Sequence, residues 1–482
     1  MHNTKIIEIL KTFTEKEFIR LGEFVGSKFF NKNEQVIKLF INLRKHYPVF
    51  ESEELEKKKL YEKIYGKQKY SDEKMRTLIS VLMKLVKKFL AHYDLENKTY
   101  FSNILLLEQL RLRAQMNTFE YEYDKANAYI EKNLYKESEY YYASYRNNSE
   151  FFYAHSAGIG SVEDESKLIN KISSDLEHYL LIEALDNNYQ MLIRKIKLNY
   201  EPKYIFLDVI KNKIEKGDYS KTPLLLLKYY TFMAIEHRDK DEYFETGLKL
   251  YFENYEKISE FERGSIHLAL INYCMLGITA GKEKYFAKMN VLYKFALENN
   301  LYFQRNKYLL PFLFNNIVKN ILYTGDTKWA FKFISEYKSR VLPEYRKDVV
   351  NVSYARYYFE IKEFDAALRH INKIAPQNVT LKFEVLTLFL KIFYELNYTE
   401  SVYSYIDSLK HFVKNNKAVL PEHFMMQANY LTKYMRKLMD AKEKKDKKEI
   451  DYLRKEIQRI DKFGLTNRKW ILQKFEDALK LK

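Results

Sequence analysis

Glycine and proline are scarce, at 12 and 7 in 482 residues, against ordinary shares of about 7% and 5%. Sheets and tight hairpins need those two residues at their turns, so a strand-rich architecture is excluded and an all-α chain is implied. The single cysteine, Cys274, rules out an intrachain disulfide and any zinc site built on two thiolates. With Ile271, Met275 and Ile278 around it, it reads as a core thiol. No stretch approaches the roughly 18 uncharged apolar residues of a membrane-spanning helix. The first ten residues mix Lys5 and Glu8 into apolar positions, unlike a secretory leader, so a cytoplasmic location is expected.

Signatures of chemistry are missing as well. His411 and His423, the closest C-terminal histidine pair, have no carboxylate at metal-ligand spacing. There is no nucleophile elbow and no kinase-like set. Gly158 and Gly160 flank Ile159, but no Lys-Ser or Lys-Thr follows as a phosphate loop requires. That segment reads as a linker between helical layers, with Ser161 and Asp164 capping the next helix. The expectation is a non-catalytic chain with no cofactor and no metal.

What is present is lysine, tyrosine and phenylalanine. The formal charge is +17, and it is uneven. Residues 1–100 hold 21 basic against 14 acidic side chains, residues 101–200 hold 11 against 15, and residues 401–482 hold 20 against 11. Basic ends around a neutral middle favour an acidic partner: an acidic peptide, nucleic acid or an anionic membrane surface. The alternative is a lysine-rich solvated surface.

The helices can be followed in order. Thr14 with Glu17 forms a capping box, and Phe18, Leu21 and Phe24 share a face behind it. A second helix starts near Glu34 and stops before Pro48. After a third that ends at Gly66, Ser71 caps a long helix with Met75, Leu78, Ile79, Leu82, Val86, Phe89 and Tyr93 on one stripe. From about Lys98 to Tyr153 the pattern predicts continuous helix. Breaks at Pro202, Gly217, Pro223 and Gly281 then mark helical pairs. A long helix is expected from Pro421 to about Lys462. Within it Ile450, Leu453, Ile457 and Ile460 form a seam too short to specify a dimer, so a monomer or weak dimer is expected. Trp470, Ile471, Phe475, Ala478 and Leu479 make a last amphipathic helix.

Between Asn351 and Pro376, residues Ala355, Tyr358, Phe364, Ala367, Leu368 and Ile371 follow a small-aromatic-small order. Upstream, Ile321, Gly325, Ala330 and Ile334 repeat it, and downstream Phe393, Val402 and Ile406 do so. Ala330 precedes Ala367 by 37 positions and Val402 follows it by 35. Over about 311–415 this resembles the tetratricopeptide repeat, whose period is 34 residues, although the usual tryptophan is absent. The resemblance implies an α-solenoid of antiparallel helical hairpins. The organisation expected is an N-terminal helical domain (1–96), degenerate helical pairs (97–300), tetratricopeptide-like repeats (301–420), and a long helix with a capping helix (421–482).

By that resemblance the first helix of each unit lines a concave groove. Asn315, Lys319, Arg356 and Lys391 then fall on groove positions, along with Val352 and Thr387. The implied function is a protein-protein interaction scaffold binding an acidic or extended peptide segment. An Arg356→Glu chain is expected to lose partner binding and keep its fold. The N-terminal stretch, with SKFFNKN before a leucine-rich helix, resembles a set of uncharacterised bacterial proteins and carries no activity from them. Residues 60–90 also resemble the helix-turn-helix of winged-helix regulators. Thr77, Ser80, Lys84, Lys87 and Lys88 lie opposite the apolar stripe, where they can meet DNA phosphates. The alternative function is therefore a DNA-binding regulator with a helical-repeat sensor domain.

Overall fold

A computed structural model describes residues 1, 4–155, 160–198, 201–217, 219–303, 307–376, 379–460 and 465–480. The described residues form an all-α protein without a strand; one isolated parallel bridge joins Leu309 and Val341. No helix among them is long and apolar enough to cross a membrane. The chain separates into two compact units, Met1–Leu134 with Glu139–Glu177, and Tyr135–Ser138 with His178–Lys482.

Unit 1 contains α1 (Lys5–Leu10), α2 (Glu15–Gly26), α3 (Glu34–Arg44), α4 (Lys57–Tyr65), α5 (Asp72–Asn97), α6 (Thr99–Leu112), α7 (Met116–Asn133), most of α8 (Ser138–Ala154) and the start of α9 (Val162–Leu198). Local chemistry sets these boundaries. Glu17 accepts from the Thr14 amide at 2.7 Å while Thr14 accepts from the Glu17 amide at 3.3 Å, so the box closes at the start of α2. Asn33 caps α3 through the amides of Gln35 and Val36, and Ser71 caps α5 through Lys74. Met75, Leu78, Leu82, Val86 and Phe89 are buried along α5, with Ile79 and Tyr93 packed at their edge. They meet Phe18, Leu21 and Val25 of α2 and Leu39 and Phe40 of α3. Each such side chain contributes about 1.5–3 kcal/mol on leaving water, so this cluster holds α1 to α5 together. Gly158 and Ile159 lie outside the described residues, whereas Ser161 and Asp164 do cap α9 reciprocally.

Unit 2 follows with α10 (Leu207–Lys216), α11 (Pro223–Glu236), α12 (Asp241–Asn254), α13 (Glu260–Thr279), α14 (Lys284–Glu298), α15 (Pro311–Tyr323), α16 (Thr327–Tyr337) and α17 (Pro343–Glu360). It ends with α18 (Phe364–Ile371), α19 (Val379–Glu395), α20 (Thr399–Asn415), α21 (Glu422–Glu443), α22 (Lys447–Gln458) and α23 (Leu465–Lys480). Sequence neighbours are spatial neighbours: α11 packs on α12, α13 on α14, α15 on α16, α17 on α18, α19 on α20 and α21 on α22. The Ile450, Leu453 and Ile457 seam, with Ile460 beside it, is enclosed within unit 2 by Trp470, Ile471 and Phe475 of α23.

Six of the connections are built alike. Ala114, Gly281, Gly325, Lys362, Asn397 and Lys445 each adopt positive φ, from 51° to 83°. At five of these turns the next amide reaches back to a carbonyl five residues earlier, as in Glu363 to Tyr358 at 2.9 Å and Asp446 to Ala441 at 2.9 Å. This left-handed C-terminal cap satisfies carbonyls that the helix end leaves free. Five residues beyond each turn the chain is buried, at Phe119, Phe286, Ala330, Ala367, Val402 and Ile450.

Two expectations fail at such turns. The continuous helix from Lys98 to Tyr153 is three helices, broken first at Ala114, and the helix from Pro421 to Lys462 is two, broken at Lys445. Neither break carries a glycine, so a side chain bears left-handed strain of about 1–2 kcal/mol. Lys362 and Lys445 are exposed and have nothing to lose but that strain. Lys362→Gly and Lys445→Gly are each expected to stabilise unit 2 by about 1 kcal/mol in urea unfolding; a loss of stability would show that the lysine side chains hold the turns.

Candidate functional site

Helix α17 packs against both α15 and α19. Val352 and Ala355 of α17 meet Val385, Leu388 and Ile392 of α19 in one apolar cluster. With that contact filled, polar side chains on the adjoining faces are brought to a common point. Asn315 and Lys319 stand one turn apart on α15, Arg356 comes from α17, and Glu384 comes from α19.

Arg356 donates from Nη2 to Glu384 Oε2 at 2.7 Å and from Nη1 to Asn315 Oδ1 at 2.8 Å. Lys319 donates to Glu384 Oε1 at 2.7 Å. The Arg356 and Glu384 side chains are 12% exposed, while that of Lys319 is 39% exposed. Burial by itself raises the Glu384 carboxyl, but Lys319 and Arg356 outweigh it and hold it at about 2. The carboxylate is therefore charged throughout the physiological range. Two cations around it leave a net positive centre whose open side is the Lys319 ammonium.

The site residues expected from sequence thus divide. Asn315, Lys319 and Arg356 are brought together, and they are met by a glutamate of this chain. Lys391 stands apart: it is buried, with its ammonium 5.2 Å from the centre of the Trp470 ring on α23. Burial draws its pKa down to about 8 against the opposing pull of Glu360 and Glu395. Trp470 Nε1 donates to Glu395 at 2.8 Å and Lys474 pairs with the same carboxylate at 2.9 Å, so α23 covers this end of α19. The pairing also changes what Arg356→Glu would do. A carboxylate set beside Glu384 in a nearly closed site disrupts folding before any partner is reached.

Glu384 itself escaped the sequence reading. A signal existed, since it lies one turn before Thr387 on the face that supplies Lys391. A second buried centre was missed too. Lys228 of α11 pairs with Asp186 of α9 at 2.6 Å and with Glu262 of α13 at 2.8 Å, and both Lys228 and Glu262 are buried. Its signal was a lone cation in an otherwise apolar helix, which a core tolerates only when paired.

In unit 1 the other candidate residues, Thr77, Ser80, Lys84, Lys87 and Lys88, are all exposed on α5. Lys84 and Lys88 line an open cleft of about 700 Å³ together with Lys32 from the turn before α3. No described group of three or more His, Cys, Asp or Glu is placed to hold a metal ion. Comparison of the chain with family models, with curated proteins and with solved structures gives no match.

Proposed function

We propose that the chain is a non-catalytic interaction scaffold, an α-solenoid of tetratricopeptide-like hairpins that takes an acidic, extended peptide segment along α15, α17 and α19. Support for the repeat comes from the like-built turns at Gly325, Lys362 and Asn397, spaced 37 and 35 residues apart, close to the family period of 34. Buried Ala330, Ala355 and Ala367 allow the close helix approach that such hairpins use.

The observation that carries the ligand class is the net positive centre at Glu384. Lys319 spends one of its three donors on Glu384, and its side chain is partly open to solvent. A peptide carboxylate there gains a charge-assisted bond of about 1.5–3 kcal/mol, while Glu384 keeps the ammonium in place. Lys319 is the contact; Arg356 and Asn315 position it through Glu384.

Fluorescence anisotropy with a labelled ten-residue polyglutamate peptide and its polylysine counterpart tests this. The wild-type chain should prefer the acidic peptide, and Lys319→Gln should weaken that binding about tenfold or more in the folded chain, with a modestly lower urea midpoint because Glu384 keeps only Arg356 as its cation. Equal affinity for both peptides, or an unaltered Kd in the variant, would rule the surface out.

A further inference from the structure

The cleft in unit 1 has a composition that the peptide reading leaves unused. One wall is α5 with Lys84 and Lys88, and the other is the turn before α3 with Lys32. Phe30, Val81 and Leu85 form an apolar floor, and Glu34 is the one acid among the lining residues. None of Lys28, Lys32, Lys84, Lys87 and Lys88 has a carboxylate within 4.0 Å among the described residues. Elsewhere in the same unit Lys57 and Lys63 do pair, with Asp72 and Glu54. Lys32, Lys84 and Lys88 line the cleft from facing elements, and a polyanion offsets the repulsion of like charges gathered there.

An aromatic ring adjoins the cleft through Phe30, which lines it. Phe29 is 87% exposed, more than any other large apolar side chain described. Its exposure is built in, because the turn beneath it is fixed. Phe30 stacks on Phe24 with ring centres 4.0 Å apart and meets His92 at 5.0 Å. Asn31 is buried and bonds the Val25 carbonyl at 2.9 Å and the Asn33 amide at 2.9 Å. Phe29 then stands perpendicular to Phe30, ring centres 4.9 Å apart, and stays almost wholly exposed. An exposed ring at the margin of a cationic cleft is what an unpaired base stacks on.

We infer that unit 1 binds single-stranded nucleic acid, with backbone phosphates along Lys32, Lys84 and Lys88 and a base stacked on Phe29. A strand enters a recess, whereas a duplex is read by an element that projects into its groove. A bilayer likewise meets a projecting surface. None of the five cations is an arginine, so recognition rests on phosphate and ring and is tolerant of sequence.

The full chain should bind a fluorescein-labelled twenty-nucleotide oligothymidine more tightly than a duplex of equal length. With about 0.7 in salt slope per phosphate contacted on a single strand, three lysine contacts lower the affinity about 20-fold between 50 and 200 mM salt. Phe29→Ala should weaken binding about tenfold. The triple variant Lys32→Gln, Lys84→Gln, Lys88→Gln should lower both affinity and salt slope. All four side chains are exposed, so a matching urea midpoint separates loss of binding from loss of fold. The inference is overturned if oligothymidine does not bind, if binding is indifferent to these substitutions, or if the duplex binds as well. Co-sedimentation with phosphatidylserine vesicles without oligonucleotide binding overturns it too, and assigns the patch to a membrane surface. The polyglutamate test on Lys319 stands or falls separately.

Discussion

Glu384→Gln is expected to destabilise unit 2 by about 3 kcal/mol at neutral pH. The substitution keeps shape and removes charge, leaving the guanidinium of Arg356, itself nearly enclosed, without its anion. Removing one partner of a buried pair costs about 3–5 kcal/mol; the partly exposed Lys319 can turn to water, which favours the lower end. The pKa gives a similar size. A carboxyl held at about 2 instead of 4.5 corresponds to roughly 3 kcal/mol of preference for the charged form. Its sign fixes the pH window. Because the folded value lies below the unfolded one, this stabilisation is complete above about pH 4.5 and is lost as pH falls toward 2. The gap between wild type and variant should therefore be widest at pH 7 and narrow below pH 4.5. Trp329 and Trp470, the two tryptophans of the chain, both lie in unit 2 and report its unfolding in urea. A double variant, Glu384→Leu with Arg356→Leu, should recover more than half of the loss. If Glu384→Gln unfolds at the wild-type midpoint at pH 7, the centre is solvated and this account of it fails.

Mild acid should find a different weak point. His267 is buried in α13, its Nε2 is 2.7 Å from the Tyr302 hydroxyl, and burial holds its pKa at about 3. The unfolded ring takes a proton near pH 6.5, but the folded ring refuses it until about pH 3. Between those values the unfolded chain binds more protons, so stability falls by about 1.4 kcal/mol for each pH unit lowered. At pH 4.5 the loss from this one ring reaches roughly 3 kcal/mol, while Glu384 is still fully charged. His370 and His423 are also lowered, chiefly by burial, and steepen the same slope. His267→Gln should remove about one proton's worth of it. Urea unfolding at pH 7, 6 and 5 measures this directly, and parallel slopes in variant and wild type would remove His267 as the cause.

What could be read from the residues divides along physical lines. Helical content followed from the shortage of glycine and proline, the start of α2 from Thr14 and Glu17, and the buried stripe of α5 from the spacing of Met75 to Phe89. Ala330 and Ala367 lie buried at the phase their neighbours indicated. What escaped was the end of helices. Positive φ is normally advertised by glycine, and at Ala114 and Lys445 other residues adopt it, so an uninterrupted apolar period read through the turn. The candidate site was half legible for a related reason. Periodicity places Lys319 and Arg356 on the faces that meet, but it does not say that α19 brings Glu384 between them. That contact joins residues 65 and 28 positions apart, a separation no local pattern encodes. Lys391 shows the same limit, since its cover comes from Trp470, nearly eighty positions later.

The placement of α23 bears on the order in which a growing polypeptide can settle. One apolar cluster of unit 1 is assembled from residues between Met1 and Phe89, so it can close while most of the chain is still to be translated. Trp470, Ile471 and Phe475, by contrast, share a core with Phe383, Ile406 and Tyr434. At the usual 5–20 residues per second, those earlier helices wait several seconds after leaving the ribosome for the segment that shields them. During that interval their apolar surface is open to chaperones.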